Sequence, residues 1–277
     1  MYQSDLLSGK RILVTGGGSG LGKAMGRRFL ELGAELAICG RREPVLAETA
    51  GAFERDFPGR TAWRVCDIRD PDAVEAMIAA LWETGPLDVL VNNAAGNFLA
   101  KSETLSPRAV DAVLGIVLHG TAYVTLACGR RWIAEGRPGN VLSIVATYAW
   151  SGSPFVVPSA MAKAGVLAMT RSLAVEWGPK DIRLNAIAPG PFPTEGAWQR
   201  LVPNQELEQA WKARIPLGRF GDHRELADLA VFLVNDRSGY ITGEVVTIDG
   251  GEWIKGAGQF SVMDGLTEED WAALRKR

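Results

Sequence analysis

Histidine and cysteine are scarce in this chain of 277 residues, which has 2 histidines and 3 cysteines. Cys39, Cys66 and Cys128 lie far apart and are odd in number, so we expect buried free thiols in a reducing compartment, with no disulfide framework. His119 and His223 are the only imidazoles, and a metal site is therefore not expected. We assign His119, on a predicted helix, to packing or to an interface.

The chain also lacks an excess of charge of either sign. Its formal net charge is -2 with no run of like charges, which gives no footprint for nucleic acid or a membrane surface. No signal segment opens the chain, no apolar run approaches the length of a membrane span, and the ending ALRKR is not a peroxisomal address. We therefore expect a cytoplasmic protein whose partners are small molecules or copies of itself.

Short apolar runs rich in β-branched residues alternate with longer segments of helical period. This alternation predicts an α/β fold: a single Rossmann-type, doubly wound domain over residues 1–277, with about seven parallel strands and helices on both faces of the sheet. The predicted strands are 11–15, 35–39, 61–65, 87–92, 140–145, 182–188 and 244–249, and the predicted helices are 20–32, 43–55, 71–83, 107–135, 158–177 and 223–235, with Asp222 as an N-cap.

Three segments depart from the simple alternation. Residues 155–177 are apolar on nearly every side, which predicts packing on the sheet and against another subunit. Residues 189–219 are rich in proline at their start and are interpreted as a mobile, substrate-covering insertion. In the tail 256–277, Thr267 and Asp270 form a capping-box-like start to a short terminal helix.

TGGGSGLG, residues 15–22, joins the first predicted strand to the first predicted helix. Gly16 permits a tight turn, Gly20 lets the backbone approach a pyrophosphate, and Gly22 allows close packing, while the helix N-terminus attracts phosphate charge. The alternative is a tight turn without a ligand. In this position the pattern predicts a dinucleotide site, to which Gly18, Ser19 and Leu21 also belong.

The residues after the second and third strands indicate which dinucleotide binds. Where an NAD-binding fold usually has an acidic residue, this chain has Arg41 and Arg42. Two cations suit a 2′-phosphate, so we predict NADPH, although either arginine can be an ordinary surface residue. Asp67 either accepts from the adenine amino group or caps the next helix. Asn92 and Asn93 either fasten the backbone or contact the cofactor.

TGGGSGLG, NNAAG, the lysine of SAMAK, and IRLNAIAPG together resemble the short-chain dehydrogenase/reductase superfamily over essentially the whole chain. That resemblance implies a catalytic Asn, Ser, Tyr and Lys. In this sequence the Asn position reads Val117, the Ser position Ala146 and the Tyr position Ser159. Of the four, only Lys163 remains.

Within the superfamily, NNAAGNF, SPFVVPSAMAK and PGP followed by TEGAWQRL resemble the NADPH-dependent 2,4-dienoyl-CoA reductases. The resemblance implies that Asn97, Tyr148, Ser159 and Lys163 are catalytic. It also assigns further residues to the cofactor site, namely Ile68, Asn93, Pro189, Gly190 and Phe192, and others to the coenzyme A and acyl path, namely Arg41, Arg69, Phe98, Ser106 and Arg200.

Each catalytic assignment has a structural alternative. Tyr148 can be a half-buried aromatic at a strand end, Asn97 can cap the turn before Phe98, and Ser159 can N-cap the long helix. The expected activity is reduction of dienoyl-CoA thioesters to 3-enoyl-CoA in the β-oxidation of unsaturated fatty acids. The alternatives are a reductase of enoyl or 3-oxoacyl thioesters and a catalytically silent NADP(H)-binding protein. The resemblance further implies a homotetramer.

Overall fold

Seven parallel strands form one sheet in the order β3-β2-β1-β4-β5-β6-β7. They are seen in a computed structural model that describes residues 2–194, 198, 202 and 204–275. The strands are β1 (Arg11–Thr15), β2 (Glu35–Gly40), β3 (Thr61–Val65), β4 (Val89–Asn92), β5 (Gly139–Ile144), β6 (Ile182–Pro189) and β7 (Val245–Ile248). Each lies within two residues of its predicted bounds. The strand order reverses between β1 and β4, where doubly wound sheets open a crevice for a ligand.

The helices cover both faces of this sheet. They are α1 (Gly20–Glu31), α2 (Glu43–Asp56), α3 (Pro71–Trp82), α4 (Pro107–Leu114), α5 (Gly120–Glu135), α6 (Tyr148–Ser151), α7 (Val157–Trp177), α8 (Gln205–Arg214), α9 (His223–Val234), α10 (Glu252–Ala257) and α11 (Glu268–Leu274). Three of them were not among the predicted helices: α6 and α10 are too short for a periodic pattern, and α8 lies inside the proline-rich insertion.

The two faces of the sheet hold separate parts of the core, because successive strand residues point in opposite directions. Ile12 and Val14 of β1 pack in the cluster that contains Phe29 of α1 and the inner face of α9. Leu13, between them, packs in the cluster of Trp132 from α5. All three cysteines are free and buried, as predicted.

Helices α4 and α5 are joined by a π-helical turn, Gly115–His119, so that Pro107–Glu135 forms one long helix. Its most apolar 18-residue window has a mean hydropathy of 1.6. The expectation that no apolar run approaches the length of a membrane span is therefore wrong by length and composition. Half of that window is buried within the fold, where Val124 and Cys128 pack with the sheet, as in a core helix.

Two predicted helix starts are confirmed. Asp222 caps α9, and the Glu225 carboxylate accepts a hydrogen bond from the Asp222 backbone N–H. Thr267 and Asp270 form the same reciprocal arrangement at the start of α11. Both pairs satisfy backbone N–H groups that a helix start leaves without partners.

Helix α7 buries one face against the sheet and leaves apolar side chains outside. Val166 and Leu167 are buried, whereas Met161 is 51% exposed and Val175 is 81% exposed. Apolar side chains thus lie on both the buried and the exposed sides of α7, as predicted. Contact of the outer face with another subunit stays a prediction.

Candidate active site

The glycine loop between β1 and α1 is shaped by contacts that leave no room for side chains. Gly16 has φ +67°, in the left-handed region that glycine favours. A Cβ on Gly22 would lie 2.6 Å from the Gly16 carbonyl oxygen, and one on Gly17 would lie 2.5 Å from Ile38. Gly16 and Gly22 therefore do what the spacing predicts, and Gly17, absent from the predicted set, is equally constrained.

The N-terminus of α1 can receive an anion. Ser19 is the N-cap residue, but its side chain makes no capping hydrogen bond, and the first turn contains no acidic residue. The first N–H groups of the helix are thus open at the end where its dipole is positive. This donor set fits the pyrophosphate of a dinucleotide.

Asn93 fastens the loop after β4 to the glycine loop. Its side-chain amide donates to the Thr15 and Gly16 carbonyl oxygens at 3.0 and 3.3 Å. The backbone N–H groups of Asn93 and Ala94 in turn donate to the Thr15 hydroxyl at 3.0 Å. Of the two roles considered for Asn93, fastening is the one its side chain performs. Thr15 was missed, although a hydroxyl residue directly before the glycine run pointed to it.

A cavity of about 260 Å³ lies between the glycine loop and the ends of β2, β3 and β4. Its lining includes the predicted residues Gly16, Gly18, Ser19, Arg41, Arg42, Asp67, Ile68 and Asn93. Arg41 and Arg42 are exposed at its edge, and an Arg42 N–H lies 3.4 Å from the Ser19 hydroxyl. Two cations at this edge suit a phosphate on the adenosine ribose.

Other predicted cofactor residues act through packing or backbone. Leu21 packs against the core, and a Cβ on Gly20 would lie 3.2 Å from the Thr194 methyl group. Gly190, after Pro189 at the end of β6, is pressed against Asp249. The Phe192 side chain is 9% exposed and belongs to the core, so only its backbone is available to a ligand.

Asp67 does not cap the helix that follows β3, because Asp70 accepts from the N–H groups of Asp72 and Ala73. The Asp67 carboxylate instead accepts from the Arg69 guanidinium, with Nε–Oδ1 at 2.9 Å. This hydrogen bond holds the pKa of Asp67 below its ordinary value. Arg69, assigned to the substrate path, therefore lies beside the cofactor cavity, paired with Asp67.

Tyr148 and Ser159 meet across the end of the sheet. Tyr148 is the first residue of α6, just after β5, and its hydroxyl oxygen lies 3.1 Å from Ser159 Oγ. Ser159 is 2% exposed and lies inside α7, whose N-cap is Val156, so the N-cap alternative for Ser159 is wrong. Tyr148 begins a helix and is not a strand-end aromatic. Burial raises its pKa, opposed by the Ser159 hydrogen bond, and keeps its proton available for donation.

Lys163 lies one helical turn after Ser159 on the same face of α7. It is 7% exposed, and its ammonium donates to the carbonyl of Ile144 at the end of β5. In the part of the chain that the structure describes, no carboxylate forms an ion pair with it. Burial lowers the pKa of Lys163 to about 8, because a desolvated ammonium is disfavoured.

Asn97 lies in the exposed loop after β4 and has one end of its amide already engaged. Its Oδ1 accepts from the Phe98 N–H at 2.9 Å, so its NH₂ group is the end left to donate. The loop is tied to the segment before α7 by a hydrogen bond from the Ala100 N–H to the Phe155 carbonyl, 3.0 Å. The turn role considered for Asn97 is thus observed. Among the described residues no hydrogen bond joins Asn97 to Tyr148.

The remaining substrate candidates are only partly placed. Phe98 is 37% exposed beside Asn97. Ser106 caps α4 by accepting from the Ala109 N–H at 3.2 Å, a structural role that fits its place directly before Pro107. Arg200 lies outside the described residues.

The superfamily positions that carry Asn and Ser hold buried apolar groups here. Val117, in the π-helical turn, is 1% exposed, and Ala146 is 7% exposed. His119 is exposed and its ring lies 6.2 Å from that of Tyr123, which fits the packing role assigned to it. The polar side chains predicted to be catalytic that the structure places at this edge are Tyr148, Ser159 and Lys163, with Asn97 in the loop after β4.

A family model described as enoyl-(acyl carrier protein) reductase matches residues 16–252. A protein of Bacillus subtilis, named as a probable 2,4-dienoyl-CoA reductase of the (2E)-enoyl-CoA-producing kind, is 44% identical over 88% of this chain and 97% of its own length. A protein of Caenorhabditis elegans, named as a probable 2,4-dienoyl-CoA reductase of the (3E)-enoyl-CoA-producing kind, is 43% identical over 91% of this chain and 83% of its own length.

Solved structures of similar fold include a short chain dehydrogenase from Bacillus anthracis, with a TM-score of 0.81 and 44% identity over 88% of this chain and 96% of that one. A gluconate 5-dehydrogenase from Burkholderia cenocepacia, solved in complex with NADP and tartrate, has a TM-score of 0.83 and 30% identity over 90% of this chain and 97% of that one. The family-model match, residues 16–252, includes the residues that line the cavity and Tyr148.

Proposed function

The chain belongs to the short-chain dehydrogenase/reductase family, and we propose that it reduces 2,4-dienoyl-CoA thioesters to 3-enoyl-CoA with NADPH, in the β-oxidation of unsaturated fatty acids. The observation that carries this proposal is the hydroxyl pair of Tyr148 and Ser159, 3.1 Å apart beside the buried Lys163. Ser159 stands where the family's usual tyrosine would be, and Tyr148 brings a phenol to the same place from α6. The two relatives named as dienoyl-CoA reductases support the choice.

A nicotinamide cofactor fits the residues of the cavity. The open N-terminus of α1 would hold the pyrophosphate, Arg41 and Arg42 the 2′-phosphate, and Lys163 the nicotinamide ribose. When bound, NADPH supplies a hydride to the end of the conjugated diene remote from the thioester. The choice of NADPH over NADH rests on Arg41 and Arg42, which stand directly after β2 where an NAD-binding fold usually has an acidic residue.

The chain's own residues would stabilise the negative charge that hydride addition places on the thioester oxygen. Tyr148 keeps its proton because burial raises its pKa. Either hydroxyl of the Tyr148–Ser159 pair can donate to the other, and when Ser159 is the donor the phenol O–H can donate to the substrate. The NH₂ of Asn97 is the second donor. Two fixed neutral donors form an oxyanion site. A proton, taken from solvent in the net reaction, then adds to the carbon next to the thioester, and the remaining double bond lies between the third and fourth carbons.

A substrate panel tests this proposal. The protein is incubated with NADPH and, separately, hexadienoyl-CoA, crotonyl-CoA or acetoacetyl-CoA, and NADPH consumption is followed by absorbance. We expect turnover of the dienoyl thioester; failure to consume it contradicts the proposal. Turnover of crotonyl-CoA or acetoacetyl-CoA alone would favour an enoyl or 3-oxoacyl thioester reductase. NADPH binding without any turnover would indicate a silent NADP(H)-binding protein.

Identification of the product decides a further point, because the names of the two relatives differ in the double bond that remains. We expect the 3-enoyl thioester, distinguished by NMR from the 2-enoyl isomer. We also propose that the protein is a cytoplasmic homotetramer. The exposed apolar residues of α7 support a subunit contact, and light scattering measures the assembly.

A further inference from the structure

Two adjacent residues at the start of α10 reach toward different elements of the active-site edge. The Glu252 carboxylate accepts a hydrogen bond from the indole N–H of Trp211 in α8, with Nε1–Oε1 at 2.8 Å. The Trp253 ring packs edge-on against Trp150 of α6, with ring centroids 5.8 Å apart. Neither Glu252 nor Trp253 belongs to the proposed cofactor, substrate or catalytic sets.

The backbone of Glu252 is held in place from both sides. Asp249, just after β7, accepts from the N–H of Gly251 at 2.8 Å and from the N–H of Trp253 at 2.7 Å. Asp249 is itself pressed against Gly190 at the end of β6. The Glu252 side chain is 17% exposed, so its carboxylate has lost most of its water. Burying a carboxylate costs free energy unless hydrogen bonds to it compensate for the lost water.

Helix α8 offers a matching face to Glu252. Trp211 and Arg214 are three residues apart and therefore neighbours on the helix surface, and Arg214 Nε lies 3.9 Å from the same Glu252 oxygen. The Trp211 ring also stacks on Trp198, with centroids 5.4 Å apart. No other side-chain hydrogen bond from α8 to another element is present in the described part of the chain, so Glu252 makes the directional contact that holds this helix.

The ends of the segment that carries α8 lie at the cofactor edge of the sheet. At one end, Thr194 lies against Gly20 of the glycine loop. At the other, the Leu217 N–H donates to the Gly250 carbonyl at 3.2 Å. Through α10, whose Trp253 contacts Trp150, helix α8 is also linked to α6, the helix that begins with Tyr148.

We propose that Glu252 is a positioning residue that holds α8 over the acyl-CoA site, while Trp253 anchors the same turn to Trp150, two residues from Tyr148. The effect on catalysis rests on the proposed function. Glu252 holds α8 with one strong hydrogen bond. The contact between Trp253 and Trp150 holds α10, and through it α8, in a fixed position relative to the Tyr148 hydroxyl.

Amide hydrogen exchange of peptides within 204–214 tests the contact without depending on turnover. It is measured on the full chain with NADPH for wild type, Glu252→Ala, Glu252→Gln and Trp211→Phe. We expect exchange to become about tenfold faster in Glu252→Ala and Trp211→Phe, because a hydrogen bond to a charged group is lost. Glu252→Gln keeps an acceptor oxygen and should stay within about threefold of wild type.

Steady-state kinetics then test the consequence for the substrate. In Glu252→Ala and Trp211→Phe we expect the KM for hexadienoyl-CoA to rise about tenfold, while the Kd for NADPH changes less than about twofold. Trp82→Phe is the matched control, since it removes the same kind of indole-to-carboxylate bond, Trp82 Nε1 to Glu135 Oε1 at 2.7 Å, on the far side of the fold. It should leave both constants unchanged.

Unchanged exchange in both Glu252→Ala and Trp211→Phe would overturn the proposal, and so would an equal loss of NADPH and acyl-CoA binding, which indicates a general loss of structure. If Glu252→Ala fails to fold, Trp211→Phe decides, because it removes the indole N–H while keeping an aromatic side chain and the Glu252 carboxylate. Absence of dienoyl-CoA reduction by wild type would count against the proposed function alone, since the exchange result still decides whether Glu252 holds α8.

Discussion

The nucleotide region and the catalytic region share one edge of the sheet but are built by different means. The nucleotide region, residues 15–22 with the ends of β2 and β3, works through backbone groups and close packing, as at Gly22 against Gly16. The proposed catalytic region instead depends on a few side chains from different elements, such as Tyr148 of α6 and Ser159 of α7. The nucleotide region thus depends on glycines, which leave room for close backbone contacts. The proposed chemistry depends on the positions of two hydroxyls and an ammonium.

Removing one hydroxyl should have the largest effect. In Tyr148→Phe the oxyanion site loses a donor, so we expect kcat to fall by about 10² to 10³ with the Kd for NADPH unchanged. Tyr240→Phe is the control, since Tyr240 is fully exposed. Full activity in Tyr148→Phe would show that the phenol has no part in the reaction.

Protonation of Lys163 should be visible as a pH dependence of stability in the protein without cofactor. Burial lowers the pKa of Lys163 from 10.5 to about 8, so between these values the unfolded chain binds the proton and the folded chain does not. The free energy of unfolding should therefore rise with pH, by about 1.4 kcal/mol per pH unit from this group. Below pH 8 the cost of the buried charge is fully present.

Urea unfolding at several pH values measures this slope in wild type and in Lys163→Met. The variant should lose the rise between about pH 8 and 10. Identical slopes in the two proteins would mean that the ammonium is not desolvated as the structure shows.

Removal of the Arg41 and Arg42 side chains should weaken binding of the nucleotide without affecting the catalytic region. With Arg41→Ala and Arg42→Ala combined, we expect the Kd for NADPH to rise about 10- to 100-fold, the size of lost hydrogen bonds to a charged group, with little change for NADH. Isothermal titration with both cofactors measures this. Arg64→Ala, on the neighbouring strand and also exposed, is the control. Equal weakening of both cofactors would contradict a 2′-phosphate role.

Two glycine substitutions should distinguish a steric clash in the glycine loop from the effect of replacing glycine with alanine within a helix. Gly22→Ala places a Cβ 2.6 Å from a carbonyl oxygen, so we expect it to lower the free energy of unfolding by about 1–3 kcal/mol. Gly51→Ala, within α2, has no neighbour nearer than Arg55 at 4.0 Å and should raise it by about 0.5–1 kcal/mol. Urea midpoints compare the two. Equal destabilisation by both would show that the glycine loop is not closely packed.

Much of the nucleotide region was predictable because its determinants are local. The glycine spacing and the arginines after β2 each depend on residues within one turn or loop, as does the Asp222 cap elsewhere in the fold, and the described residues bear out the Gly16 turn and that cap. Asp67 shows where this fails. Asp70, directly before Pro71, caps the helix, whereas the Asp67 carboxylate three residues earlier pairs with Arg69, a contact that the sequence did not indicate.

The catalytic region was identified by resemblance, and its geometry could not be read from spacing. The four-residue helix α6 carries no periodic pattern, so the direction of Tyr148 was unknown until it was seen beside Ser159. Glu252 and Trp211 are 41 residues apart, and nothing in either neighbourhood indicates their hydrogen bond.

The sequence by itself determined the alternation of strands and helices, the glycine loop and the two arginines beside it, because these follow from residue type, period and near neighbours. The tertiary structure alone decided which side chains share a buried space: Tyr148 with Ser159, Lys163 with a strand carbonyl, and Glu252 with Trp211. The physical reason is that hydrogen bonding and desolvation depend on distances between atoms, and the parallel sheet brings together at one edge residues that lie far apart along the chain.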